Sequence, residues 1–216
     1  MDLLTLLSKL SEGMVVSIEI FLLTLLFSLP LGLVVAKGRL SETGMIRNFF
    51  KLYISLMRGT PLMLQLMVVY FGPYYILGVS MPRGYRFWAV IVGFTLNYAA
   101  YFAEIYRGGI ESMPVGQYEA ATLLGYSKNQ TFFRIILPQV IKRIIPSITN
   151  EVITLVKDTS LAFVISVTEM FTVAKAVASA QTTMLPYVAA GIFYYVFNFI
   201  VAAIMERTEK SLNYYR

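Results

Sequence analysis

The chain has 216 residues, of which 57% are hydrophobic and only 14% charged, far more apolar than a soluble domain requires. Cysteine and histidine are both absent, which excludes disulfides, thiolate metal sites and the usual general base. The formal charge of +6 is dispersed between apolar runs, so it reports membrane orientation rather than nucleic-acid binding, and no GxxxxGK(S/T) loop for ATP occurs.

Five apolar runs, residues 14–36, 55–79, 87–105, 144–166 and 187–205, can each cross a hydrocarbon core of about 30 Å, which takes roughly 20 helical residues. The first is read as a retained span rather than a signal peptide. Asp2 and Glu12 oppose Lys9 ahead of it, and no small-x-small cleavage site follows. No repeat, low-complexity tract or linker is evident, so residues 1–216 read as one all-α transmembrane domain of five helices.

Within the first run, Glu19 is expected about one turn inside the outer end, either as an interfacial carboxylate or as an attractor of cations at the mouth. Residues 39–51 form an amphipathic surface segment whose Met45, Ile46, Phe49 and Phe50 face lipid or the bundle. The second run opens on Arg58-Gly59-Thr60-Pro61, where Gly59 and Pro61 break the helix. Such a break either offers free N–H groups to a carboxylate or marks a helix start at the cytoplasmic interface with Arg58 snorkelling. Asn97, Tyr98 and Tyr101 on the third run are further lining candidates, or simply packing.

Between the third and fourth runs lies a polar loop built as two short helices. Pro114 suits a first turn, residues 115–124 hold good helix formers, and Gly125 is placed for a left-handed cap. Ser127 with Gln130 forms a capping-box signature for a second helix carrying Phe132, Phe133, Ile135 and Ile136, which Pro138 ends. The fourth run is the most polar. At about 100° per residue, Asn150, Glu151, Thr154, Asp158 and Leu161 fall on one stripe. The stripe is either the wall of a hydrated cavity or a set of interhelical hydrogen bonds. Lys157 could neutralise Asp158 or Glu104, leaving Glu151 as the free negative charge for a cationic side chain.

The loops after the first, third and fifth runs carry most of the Lys and Arg, while the opposite loops hold only Lys9, Arg83, Arg86 and Lys175. By the positive-inside rule the richer side is cytoplasmic, which puts the N-terminus outside, the C-terminus inside and the two-helix loop in the cytoplasm.

The loop spacing, Glu119-Ala120-Ala121, then Gly125, then Ile135-x-Leu137-Pro138, resembles the permease subunits of bacterial ABC importers. Ser55-Leu56-Met57-Arg58-Gly59-Thr60-Pro61-Leu62, Glu104-Ile105-Tyr106-Arg107-Gly108-Gly109-Ile110 and Lys157-Asp158-Thr159-Ser160-Leu161 resemble the polar amino acid branch, over nearly the whole chain from about Gly13. The resemblance implies a type I importer permease in the bacterial cell membrane, with Glu119, Ala120, Ala121 and Gly125 forming a coupling helix that docks in an ATPase subunit. It also implies a second permease subunit (identical or sister), two ATPase subunits that use the ATP-Mg, and an extracytoplasmic solute-binding protein. This chain would hold no cofactor and catalyse no covalent chemistry. The implied cargo is a polar amino acid, and Glu151 and Asp158 favour arginine, lysine or histidine, with Asn97, Thr60, Gly59 and Glu19 as further binding candidates. The alternatives are a permease for neutral or acidic amino acids, or an ion-coupled carrier or channel, in which the carboxylates would couple protons or cations but the loop would have no purpose.

Overall fold

The computed structural model describes residues 2–82 and 84–212, all of them helical or in short connections. Arg83 and Arg216, counted in the charge distribution above, lie outside the described residues. The helices are α1 (Leu3–Arg39), α2 (Gly44–Gly59), α3 (Leu62–Leu77), α4 (Tyr85–Glu111), α5 (Val115–Leu123) and α6 (Lys128–Thr131). A π-helical segment (Phe132–Ile136), α7 (Leu137–Asp158), a 3₁₀ segment (Thr159–Ile165), α8 (Met170–Gln181) and α9 (Leu185–Leu212) complete the chain.

Among the described residues, three helices, α1, α4 and α9, are long and apolar enough to cross a membrane singly. Two bent pairs bring the number of candidate spans to five, as the hydropathy pattern predicts. In the first pair, α2 and α3 meet at 110° across Thr60 and Pro61. Proline has no N–H to donate and pushes the preceding residue out of the α region, so Thr60 is extended and the helix stops. The expected single span 55–79 is therefore two helices, and the amphipathic segment expected at 39–51 is the first half of α2. In the second pair, the run Lys128–Ile165 and α8 meet at 58°, after Ser166 takes a left-handed conformation.

α4 is the centre of the bundle: 61% of its apolar stretch is buried, against 17% for α9. Small residues let its neighbours close on it. Gly32 of α1 sits where a Cβ would lie 2.9 Å from Phe102, and Gly109 of α4 where a Cβ would lie 2.2 Å from the Ile144 Cγ2 of α7. α7 runs antiparallel to α4, with Gly109 against Ile144 at one end and Tyr98 against Asp158 at the other. α1 starts eleven residues earlier than the hydropathy run, at Leu3, so Glu19 lies more than four turns from its start rather than one.

Pro138 does not end a helix. The chain passes through the π segment, with Leu137 N–H donating to the Phe132 carbonyl, and continues as α7 with Pro138 in its first turn. The wider turn accommodates a residue that lacks an N–H and whose ring would clash inside a regular helix.

Candidate functional site

The loop between α4 and α7 follows its local signals closely. Gly125 has φ +80°, and the Tyr126 and Gly125 N–H groups donate to the Ala121 and Thr122 carbonyls at 3.0 Å each, a Schellman closure of α5. Ser127 Oγ accepts from the Gln130 N–H at 3.3 Å while Gln130 Oε1 accepts from the Ser127 N–H at 2.9 Å, so both halves of the capping box form. Pro114 is the N-cap of α5 rather than part of its first turn.

Ala121 is buried, whereas Glu119, Ala120 and Gly125 are exposed. Leu123 and Leu124 are 89% and 76% exposed, an apolar end on an otherwise polar connection. The loop is braced on the bundle. Gln139 Nε2 donates to the Gln117 Oε1 at 3.4 Å, and Arg143 donates to the Ser112 carbonyl at 2.6 Å. Both braces join the loop side of the bundle to α7.

The second assembly surrounds the break between α2 and α3. Tyr53 Oη donates to the Leu96 carbonyl at 2.5 Å, and Asn97 Nδ2 donates to the Met57 carbonyl at 3.0 Å, so the end of α2 packs on the middle of the 27-residue α4. Arg58 accordingly belongs to the last turn of α2, exposed beside the middle of α4, and not to a loop. The carbonyls freed by the break are taken up by side-chain amides. Gln65 Nε2 donates to Met57 O at 2.9 Å, to Thr60 O at 3.1 Å and to Thr60 Oγ1 at 2.8 Å. Asn97 Nδ2 donates to Gln65 Oε1 at 2.9 Å, closing the network. Unmet backbone groups are costly away from water, which accounts for two amides at this point.

Across from the break, α7 presents its polar stripe. Tyr98 Oη donates to Asp158 Oδ2 at 2.7 Å, and Asp158 is the last residue of α7. Glu151 is half-buried and has neither a hydrogen bond nor a salt bridge among the described residues. Thr154 turns its hydroxyl back to the Asn150 carbonyl instead, at 2.9 Å. The Arg58 guanidinium stacks over the Tyr101 ring at 5.2 Å, and its charge acts on both Glu151 and Glu104.

Glu151, Asp158, Asn97, Thr60 and Gly59 thus share one neighbourhood with Arg58, Gln65, Tyr98 and Tyr101. Glu19 is placed differently, on an exposed stripe of α1 with Val15, Leu22 and Leu26. The suggested Lys157–Glu104 pair does not form: Glu104 is bridged by Arg107, which also pairs with Glu111, three and four residues along the same helix.

A buried carboxylate escaped the sequence reading. Glu169 has no exposed surface and caps α8, accepting from the Phe171 and Thr172 N–H groups at 2.7 Å each. It also accepts from Tyr194 Oη at 3.1 Å and Ser17 Oγ at 3.4 Å, joining α9 and α1 to the same point. The fourth apolar run ends at residue 166, so Glu169 falls outside the expected spans. Its only sequence signal was Thr172, placed to donate back to it.

Comparison with known proteins agrees with this architecture. Residues 28–214 match the family described as binding-protein-dependent transport system inner membrane component. The arginine transport system permease protein ArtQ of Bacillus subtilis is 37% identical over 202 residues, covering 93% of this chain and 91% of that one. The L-cystine transport system permease protein TcyB of the same organism is 34% identical over 208 residues, covering 95% and 87%. The crystal structure of an amino acid ABC transporter with histidines superposes with a TM-score of 0.87 at 28% identity, covering 98% of this chain and 99% of that one. The chain belongs to the family of binding-protein-dependent transport system inner membrane components, as a multi-pass permease of an amino acid ABC importer that leaves ATP hydrolysis to partner subunits.

Proposed function

We propose that this permease imports basic amino acids, with Glu151 and Asp158 receiving the cationic side chain. The observation that carries the reading is Glu151, a half-buried carboxylate in the bundle with no ion pair among the described residues. Burying an unpaired charge is costly, and a cationic ligand would relieve that cost. The relative named for arginine transport supports the same cargo, whereas the relative named for cystine transport shows that neighbouring sequences serve other amino acids. Family membership makes a partner ATPase, and not an ion gradient, the energy source.

In this reading the chain pairs with a second permease, identical or sister, stands N-out and C-in, and takes substrate from a solute-binding protein outside. α5 docks in an ATPase subunit through Glu119, Ala120 and the exposed Leu123 and Leu124. Closure of the ATPases shifts α5, and the Gln117–Gln139 and Ser112–Arg143 braces pass that shift to α7, which carries both substrate carboxylates.

Glu151→Gln keeps the shape and removes the charge. Apparent affinity for a basic amino acid should fall about tenfold, or about 1.4 kcal/mol, with assembly and ATP hydrolysis intact. Normal affinity in this variant, or a wild type that accepts only neutral or acidic amino acids, would refute the basic-substrate reading.

A further inference from the structure

We propose that the corner between α1 and α2 binds an anionic phospholipid. α1 keeps an exposed apolar face as far as Leu33 and Val34 and turns basic in its last turn, at Lys37 and Arg39. A lipid-facing helix changes in this way where hydrocarbon gives way to headgroups, because long basic side chains reach water from there. α2 follows after a short connection, residues 40–43, and the corner is held closely. The Leu40 and Ser41 N–H groups donate to the Ala36 and Gly38 carbonyls at 2.9 and 3.2 Å. A Cβ at Gly38 would lie 2.1 Å from the Phe50 ring, so the last turn of α1 rests on the first half of α2.

Both halves of such a lipid have a counterpart here. Lys37, Arg39, Arg47 and Lys51 stand against a single acid in this stretch, Glu42, for a net charge of +3. None of the four forms a salt bridge among the described residues, and Arg47 donates to a neutral group, the Ser41 carbonyl, at 3.5 Å. Glu104, on which the Arg39 charge also acts, is already bridged by Arg107. Lys37, Arg47 and Lys51 are exposed. On the side of α2 opposite Arg47 and Lys51, Met45, Phe49 and Leu52 recur at helical spacing and are exposed as well. A helix divided in this way lies with its apolar side among acyl chains and its basic side among headgroups. A soluble anion would neutralise the cations and leave the apolar side bare. A phospholipid with a negative headgroup serves both, its phosphate against the basic cluster and its chains along Met45, Phe49 and Leu52.

The test is lipid retention by the purified permease–ATPase complex, exchanged into mixed micelles holding equal amounts of phosphatidylglycerol and phosphatidylcholine, with the bound lipid quantified by mass spectrometry. Wild type should retain phosphatidylglycerol in excess, and the excess should shrink at high salt, where charges on the surface are screened. Arg47→Gln with Lys51→Gln should lower the retained ratio by about fivefold or more, the effect of one basic side chain at an anionic surface. Arg47→Lys with Lys51→Arg keeps both charges and should hold the wild-type ratio. Lys128→Gln with Arg207→Gln removes the same charge elsewhere and should leave the ratio nearly unchanged. Equal retention of the two lipids by wild type, or a ratio indifferent to salt, overturns the assignment without recourse to any variant. An equal fall in the two charge-removing variants makes net charge, and not this corner, responsible. Displacement of phosphatidylglycerol by soluble glycerol 1-phosphate would make the corner a site for a free phosphate and remove the lipid. Loss of the ATPase or of a second permease from the Arg47→Gln, Lys51→Gln variant, with the lipid ratio unchanged, would assign this face to a protein contact instead.

Discussion

Gly125 offers a test of coupling in which the steric and backbone contributions separate cleanly. A Cβ built at this position meets nothing within 4 Å, so a substitution creates no clash. The only cost is the backbone conformation: φ is +80°, a region in which an L-residue with a Cβ is strained by about 1–2 kcal/mol. The chain can bear that strain, or rotate away and lose the two 3.0 Å bonds that close α5, each contributing about 1 kcal/mol. Either outcome is small beside the stability of the bundle, so Gly125→Val should insert and fold. Its effect falls on the orientation of Leu123, Leu124 and Tyr126. A shift of about 1.4 kcal/mol leaves the docking-competent geometry about tenfold less populated relative to its alternatives. Asn tolerates the left-handed region, Ala tolerates it less, and a β-branched residue least. Co-purification of the ATPase and substrate-stimulated ATP hydrolysis should therefore decline in the order Gly, Asn, Ala, Val. If Gly125→Asn is as defective as Gly125→Val, or if Val transports normally, the cap does not set the docking geometry.

Two further predictions concern the bundle and its orientation. Gly13→Ala places a Cβ 2.7 Å from the Met170 Cα, a backbone atom that cannot swing aside, so α1 and α8 must separate. Thermal stability of the purified subunit should drop by about 1–3 kcal/mol, and an unchanged melting curve would show that this contact is not close in the membrane. Single cysteines at the exposed Ser127 and Ser211 should be shielded from an impermeant thiol reagent in intact cells, while cysteines at the exposed Ser80 or Ser179 should be labelled. Labelling of Ser127→Cys from outside would reverse the N-out orientation and remove the coupling role of the loop.

The features legible in the sequence were those that short segments determine. Hydropathy located the five candidate spans, two of which are bent helix pairs, because a span must satisfy its own backbone hydrogen bonds within about 20 residues. The Gly125 cap and the Ser127–Gln130 box were legible for the same reason, since each is closed by residues no more than five apart. The polar stripe on α7 followed from helical periodicity alone, and placed Glu151 and Asp158 on one face.

Only packing between distant helices decided the rest. The sequence leaves open what the Arg58 break lies against, and Tyr53 on Leu96 and Asn97 on Met57, pairs 43 and 40 residues apart, set it beside the middle of α4. Glu169 falls outside the expected spans, and only the fold brings Ser17, 152 residues away, and Tyr194 to it. Pro138 carries a strong local stop signal, yet a π turn carries the helix through it into α7, which packs on α4 and α9. Local hydrogen bonding specifies where a helix starts and which residues share its face. The partner of an ionisable group inside a membrane depends on which helices come into contact, and that is a property of the tertiary structure.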